Sequence, residues 1–323
     1  MLAEWFWFFL NAVLLYRLAK FFWTLSRPLL LYVIYPKLGW TLDLEPYKRM
    51  WVVVTGCTDG IGKAYTEELA RRGFTKFLLI SRSQERLDWE ATYLRKEHSA
   101  TVHTCVFDFT SNDYSKIERF LDEFSDIGIL VNNVGAAVNR VAKFAEQPPG
   151  MAEKILKVNA MSVVKMCEFV VPKIVQQDRG IVVTISSIQG WRPIRMLSTY
   201  SASKACVSFL SECLAQEYQS KTIRFQCLFP SLVATKMSRY TKEDRWHVVS
   251  PERFAKQAVD AIGNRSITCG CAAHDIQAAV GSFFPYWILK YLIMPYYAMQ
   301  RKRLDQLQEE NNNDSEPSQR SLG

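Results

Sequence analysis

Thr55-Gly56-Cys57-Thr58-Asp59-Gly60-Ile61-Gly62 lies between a β-branched run, Met50 to Thr55, and an amphipathic stretch, Ile61 to Arg72, which Gly73 closes. The run reads as a buried strand and the stretch as a helix, so the glycines occupy a strand-to-helix turn. Glycine at such a turn lets the backbone approach a pyrophosphate, whose charge is held by the free N–H groups and positive end of the new helix. A glycine run alone is more often an ordinary turn; the flanking strand and helix give this one its meaning.

The rhythm continues downstream. Strand-like runs at Met50 to Thr55, Phe77 to Ile80, Val102 to Phe107, Ile129 to Asn132, Ile181 to Ser186 and Ile223 to Phe229 alternate with helical stretches. That alternation predicts an α/β fold, a doubly wound parallel sheet covered on both faces. The chain has 323 residues, and an open sheet of this kind absorbs about 250 without splitting. A single domain over residues 48–265 is therefore expected, with attachments at both ends.

Tyr200-Ser-Ala-Ser-Lys204 follows Ser187 after a short gap. A Tyr and a Lys four apart share one helix face, so the ammonium can stabilise a phenolate and bring its ordinary pKa of about 10 towards neutrality. Tyr200 becomes a usable proton donor. With the glycine turn, with Asn132-Asn133-Val134-Gly135 and with Asn159, these residues resemble the short-chain dehydrogenase/reductase family from about Trp51 to Val259. The turn is similar to Thr-Gly-x-x-x-Gly-Ile-Gly, the asparagine pair to Asn-Asn-Ala-Gly, and Ser187, Tyr200, Lys204 and Asn159 fall on the family's catalytic tetrad. The stretches Thr58 to Tyr65, Gly128 to Gly135 and Val233 to Met237 resemble the membrane-bound 17-beta-hydroxysteroid dehydrogenase and very-long-chain 3-oxoacyl-CoA reductase branch.

The resemblance implies a Rossmann-like sheet and a division of labour. Tyr200 would protonate a carbonyl oxygen as hydride arrives from a nicotinamide, while Ser187 orients and polarises that oxygen. Lys204 would lower the phenol pKa and hold the nicotinamide ribose, and Asn159 would position a water behind the lysine. Ser186 is the rival serine, but the family spacing lands on Ser187 and Ser186 then points the other way along the strand. Cofactor contacts are expected from Gly56, Thr58, Asp59, Gly60, Ile61, Gly62, Ser81, Arg82, Asp108, Asn133, Tyr200, Lys204, Val233 and Thr235. No carboxylate ends the second strand in Leu78-Leu79-Ile80-Ser81-Arg82-Ser83, and Arg82 offers a planar cation for a 2′-phosphate, which points to NADP(H). Asp108 reads equally as the family's adenine contact or as a turn-capping aspartate. The family's Pro-Gly after the sixth strand is replaced by Pro230-Ser231, and Ser231 to Ser250, with Tyr240 and Trp246, is the expected substrate lid.

The ends differ in kind. Residues 1–36 are rich in Trp, Phe, Leu and Tyr but interrupted by Arg17, Lys20 and Arg27-Pro28. A span needs about 20 apolar residues, so either one helix crosses with its cations snorkelling, or the pieces form a hairpin or lie in the interface. The cations that follow the first apolar run place the domain in the cytosol, and the family branch implies the endoplasmic reticulum membrane. Residues 266–303 are apolar and aromatic, read as a lid or second membrane-associated segment, and 304–323 as a disordered polar tail. The net charge of +8 comes from dispersed basic residues, which suits a membrane surface or anionic substrate better than nucleic acid. The eight cysteines are scattered and read as small buried hydrophobes in a reducing compartment. Cys269, Cys271 and His274 lack a fourth ligand at a recognisable spacing, so no metal is expected.

The expected activity is NADPH-dependent reduction of a keto group on a lipid, either a 3-oxoacyl-CoA or a 17-ketosteroid or 3-ketosterol. The resemblance further implies a homodimer through the helices bearing Asn159 and Tyr200. The competing class is a catalytically silent membrane-bound interaction protein, against which the intact tetrad stands.

Overall fold

The computed structural model describes residues 1–137, 142–238, 240 and 247–285, with isolated positions beyond. The strands are β1 (Trp51–Thr55), β2 (Lys76–Ser81), β3 (Thr101–Val106), β4 (Ile127–Asn132), β5 (Gly180–Ile185), β6 (Ile223–Leu228), β7 (Leu232–Val233), β8 (Val248–Val249) and β9 (Ile267–Thr268). Seven form one parallel sheet in the order β3-β2-β1-β4-β5-β6-β9. The chain winds outward from β1 to β3, returns to the other side of β1 at β4, and winds outward again. The reversal between β1 and β4 opens a crevice at the strands' carboxyl ends, where open α/β sheets bind ligands.

The β-branched runs form strands here because both sheet faces are covered. Val52, Val53 and Val54 are fully buried; Val52 and Val54 face a cluster containing Leu69 and Phe254, and Val53 faces the opposite one with Ile117 and Val170. Period-two alternation thus sends neighbours into two cores, and each buried Val or Leu contributes roughly 1.5 to 3 kcal/mol. The six expected strands lie within two residues of their sequence boundaries. The short strand β9 was not among them, because two residues carry no readable period.

The amino terminus is one continuous helix, Ala3–Leu38, 36 residues long, whose apolar stretch is not buried. Its length of about 54 Å exceeds the roughly 30 Å hydrocarbon core of a bilayer. Pro28 lies inside it, followed at once by a wider turn over Leu30–Ile34 with Tyr35 N–H bonding to Leu30 O. The helix thus changes type locally just after the proline and continues. Its far end is seated on the sheet domain: Leu31 and Tyr32 are buried against Ala261 and Ala272. The helix Ala272–Phe283 runs alongside, with Phe283 against Phe21 at 4.9 Å. Of the tail 304–323, all but Gln306 lies outside the described residues, as do Arg239 and 241–246 of the expected lid, Trp246 included.

Candidate active site

The glycine turn leads from β1 into the helix Gly60–Arg71, which Asp59 precedes without a side-chain cap. Its first backbone N–H groups are therefore open to an anion. Gly60 has φ +54°, and a Cβ there would stand 2.9 Å from Thr235 Cγ2. Gly62 is glycine for an internal reason: a Cβ would stand 2.2 Å from Asn133 Nδ2 and 2.4 Å from Gly56 O. Asn133 Nδ2 donates to Gly56 O at 2.9 Å and to Thr55 O at 3.1 Å, while Asn133 N and Val134 N donate to Thr55 Oγ1 at 3.0 and 3.1 Å. These bonds lock the ends of β1 and β4 together at the switch point. The same packing makes Gly56, with φ +65°, part of the lock.

Around the turn, Thr58 Oγ1 and Ser81 Oγ share a hydrogen bond of 2.9 Å that ties it to the end of β2. Ile61 faces inward onto the core. Asp59 Oδ2 meets Arg86 at 3.6 Å and Lys236 at 3.3 Å. Neither cation was singled out from the sequence, since the three residues lie on segments far apart. Arg82 is exposed at the end of β2. Asp108 Oδ1 accepts from Thr110 N and Thr110 Oγ1, both at 2.9 Å, the turn-capping geometry. Those bonds and then the nearby Arg82 and Lys154 cations hold its carboxyl below the usual carboxylate range.

The tetrad positions come from four elements. Ser187 follows β5 and caps the short helix Ile188–Trp191, accepting from Gln189 N at 3.4 Å and donating to Gln189 Oε1. Ser186 turns the other way, its hydroxyl within 2.9 Å of Lys204 O and 2.7 Å of Ser208 Oγ. Tyr200 and Lys204 lie one turn apart on the helix Ser198–Tyr218. Lys204 is buried, and its Nζ donates to Ile185 O at 2.8 Å. Burial pushes its pKa down to about 8. The short helix bearing Ser187 packs on this segment, for a Cβ at Gly190 would stand 2.7 Å from the Lys204 carbonyl carbon.

Asn159 sits in a wider turn, Lys157–Met161, that interrupts its helix. Such turns recur at functional sites. Here it aims the carboxamide: Oδ1 accepts from Ala136 N at 2.6 Å, and Nδ2 donates to Ala136 O at 2.9 Å and Ser203 Oγ at 3.1 Å. The side chain clamps the loop after β4 to the tyrosine helix. At Gly135 the place of a Cβ is 3.5 Å from Asn159 Oδ1 and 3.7 Å from both Lys204 Nζ and Met237 Cε. Val233 is buried, and Thr235 begins a turn that Ser238 closes, Ser238 Oγ bonding Val233 O at 2.6 Å. The structure thus gathers strand ends, an uncapped helix start, a buried lysine and a tyrosine one turn away into one crevice. The further contributors Gln189 and Arg86 carry no motif by which a sequence could reveal them, and Lys236 is legible only as part of the stretch Val233 to Met237.

A fold with this switch point and tyrosine–lysine helix is that of a dehydrogenase, and the short chain dehydrogenase family model matches residues 50–246. The chain belongs to that family and is an oxidoreductase. It is 42% identical over 254 residues to the very-long-chain 3-oxoacyl-CoA reductase of Bos taurus, spanning 78% of this chain and 80% of that one. Against the Homo sapiens reductase of the same name the figures are 39% over 247 residues, 76% and 78%. Among solved structures it is similar to a short-chain dehydrogenase from Sphingobium yanoikuyae in complex with NADPH, with TM-score 0.58 and 31% identity over 64% of this chain and 81% of that chain.

Proposed function

We propose that the chain reduces the 3-keto group of a very-long-chain 3-oxoacyl-CoA with NADPH. The observation that carries this is the complete tyrosine–lysine–serine–asparagine set, built into the crevice of a chain over 40% identical to a reductase of that name. The site fits the cofactor: the helix start is uncapped, Lys204 Nζ and Asn159 Oδ1 line Gly135, exposed Arg82 offers a cation for a phosphate, and Arg86 and Lys236 hold Asp59 beside the helix start. Arg82 would meet the 2′-phosphate, Thr58 to Gly62 the pyrophosphate, and Val233 and Thr235 the nicotinamide side. Bound NADPH supplies the hydride.

The protein supplies the proton and the geometry. Ser187 donates to the keto oxygen, which fixes that oxygen and takes up part of its growing negative charge. The single Ser187 proton, given to Gln189 Oε1 in the structure, turns to the keto oxygen when substrate binds, while Gln189 N still donates to Ser187 Oγ and holds it at the end of β5. Tyr200 delivers the proton, and the buried ammonium of Lys204 favours the phenolate left behind. Asn159 holds the β4 loop against that helix, so lysine and tyrosine keep their places as the charge moves.

Within this reading, residues 1–36 anchor the catalytic unit to the endoplasmic reticulum membrane with the site facing the cytosol. That unit extends past the expected bound at 265, because β9 joins the sheet and Cys269, Cys271 and His274 are buried, so only the later part of 266–303 is left for a lid or second membrane contact. The exposed Trp5, Phe6, Trp7, Phe8 and Phe9 support an apolar surrounding for the first helix. A homodimer through the helices of Asn159 and Tyr200 completes it, consistent with Phe209 standing 70% exposed. Detergent-solubilised protein from alkaline-washed membranes should oxidise NADPH with long-chain 3-oxoacyl-CoA. Turnover of ketosteroids alone would replace the substrate, and NADPH binding without any turnover would favour an interaction protein on this scaffold.

Cofactor choice gives a sharper test. Arg82→Asp should move preference from NADPH towards NADH by about tenfold or more, because a charge-assisted phosphate contact contributes roughly 1.5 to 3 kcal/mol. Binding titrations of both cofactors measure it, and an unmoved ratio would make Arg82 a surface charge.

A further inference from the structure

His274 is 1% exposed, in the first turn of the helix Ala272–Phe283, and both ring nitrogens meet main chain of a distant segment. Ser231 N donates to Nδ1 at 3.3 Å, and Nε2 lies 3.1 Å from Leu232 O. An amide N–H can only donate, so Nδ1 accepts and the proton sits on Nε2 for Leu232. Burial pushes the imidazole pKa down to about 4, which keeps that single tautomer in place at neutral pH. Ser231 stands where the family has glycine after proline, and Val233 follows in the strand that pairs with β8. The next residue, Asp275, reaches two other ways: Oδ1 accepts from Cys269 N at 3.1 Å after β9, and Oδ2 accepts from Tyr32 OH at 2.7 Å in the amino-terminal helix. Ala272 N completes the turn by donating to Gln257 Oε1 at 2.9 Å.

We propose that His274 and Asp275 are positioning residues in one rigid turn, His274 holding the nicotinamide-side loop and Asp275 fixing that turn to Tyr32 of the amino-terminal helix. The proposal rests on the reading that residues 231–235 form the nicotinamide side of an NADPH site. It couples two things that the chain keeps far apart in sequence. The seat of the apolar helix and the seat of the cofactor are built on consecutive side chains, so disturbance at one is transmitted through a single helical turn. A loop released from His274 must be ordered again by the ligand, and that ordering lowers affinity.

The test is NADPH binding by the full-length protein in detergent, read from nicotinamide fluorescence without substrate, with steady-state constants and thermal unfolding alongside. His274→Leu should raise the NADPH dissociation constant roughly tenfold, the scale of two lost neutral hydrogen bonds. His274→Asn, whose Oδ1 can stand in for Nδ1, should recover part of that loss. Tyr32→Phe, which removes one hydroxyl distant from the crevice, should weaken NADPH binding about twofold to fivefold, the scale of one such bond. Lower melting temperatures with unchanged NADPH affinity in His274→Asn and Tyr32→Phe would show a merely structural turn and overturn the proposal. If His274→Leu does not fold, those two variants still decide. Wild type that failed to bind NADPH would instead defeat the underlying functional reading, so the two failures are distinguishable.

Discussion

Tyr200→Phe is expected to lower turnover by between about 100- and 10,000-fold, the range a positioned general acid contributes, while NADPH affinity stays within about twofold of wild type. The substitution removes one oxygen and keeps the ring. Lys204 would remain buried on Ile185 O, Asn159 on Ala136, and the glycine turn on Asn133, because none of those bonds uses the phenol oxygen. What is lost is the only group the mechanism gives for protonating the keto oxygen. Ser187 cannot replace it, since a hydroxyl with no base behind it donates a hydrogen bond without surrendering its proton at neutral pH. Steady-state rates and a fluorescence titration of NADPH measure the two halves separately. Turnover near wild type would remove Tyr200 from the proton transfer, and a large rise in the NADPH dissociation constant would make it a cofactor anchor instead.

The main strands and the glycine turn were legible because each is a demand on residue type. A parallel strand buried on both faces needs consecutive apolar residues, and Val52 to Val54 supply them. A turn crossing the end of a neighbouring strand needs glycine, and Gly62 under Asn133 supplies it. Contacts between distant segments left no such trace. The acceptance by Asp59 of Arg86 and Lys236 is one case, and the gripping of Ser231 and Leu232 by His274 is another. Sequence proximity shows only part of the surroundings of His274: Cys269 main chain is a neighbour, but the Ser231 N and Leu232 O that meet its ring nitrogens lie more than forty residues upstream. Of the arrangements left open at Arg27-Pro28, one helix or separate pieces, the structure has the single helix, which runs on to Leu38 through the wider turn at Leu30–Ile34. Asp108 was open between two roles, and its turn with Thr110 is purely local, the kind of contact a sequence can show.

Lys204→Met should make the protein more stable at pH 7 and nearly inactive. The pKa of this lysine falls from its ordinary 10.5 to about 8 because burial penalises its charge. Between pH 8 and 10.5 the unfolded chain therefore binds more protons than the folded one, and wild-type stability rises with pH across that window. Below about pH 8 both states are protonated and the penalty is present in full, about 3 kcal/mol at 1.36 kcal/mol per unit. Methionine fills similar space without charge and forfeits only the bond from Nζ to Ile185 O, about 1 kcal/mol. The net gain is about 1 to 2 kcal/mol, a rise in melting temperature of roughly 2 to 8 °C for a domain of this size. Turnover should fall with it, because the phenolate left on Tyr200 loses its neighbouring cation, and NADPH affinity should fall because the ribose loses a donor. Thermal unfolding without cofactor at pH 7 and again at pH 9.5 separates the terms: the advantage of Lys204→Met should be largest at pH 7 and shrink at pH 9.5. A variant destabilised equally at both pH values would show that the charge of Lys204 costs the fold nothing, and that its burial is compensated inside the crevice.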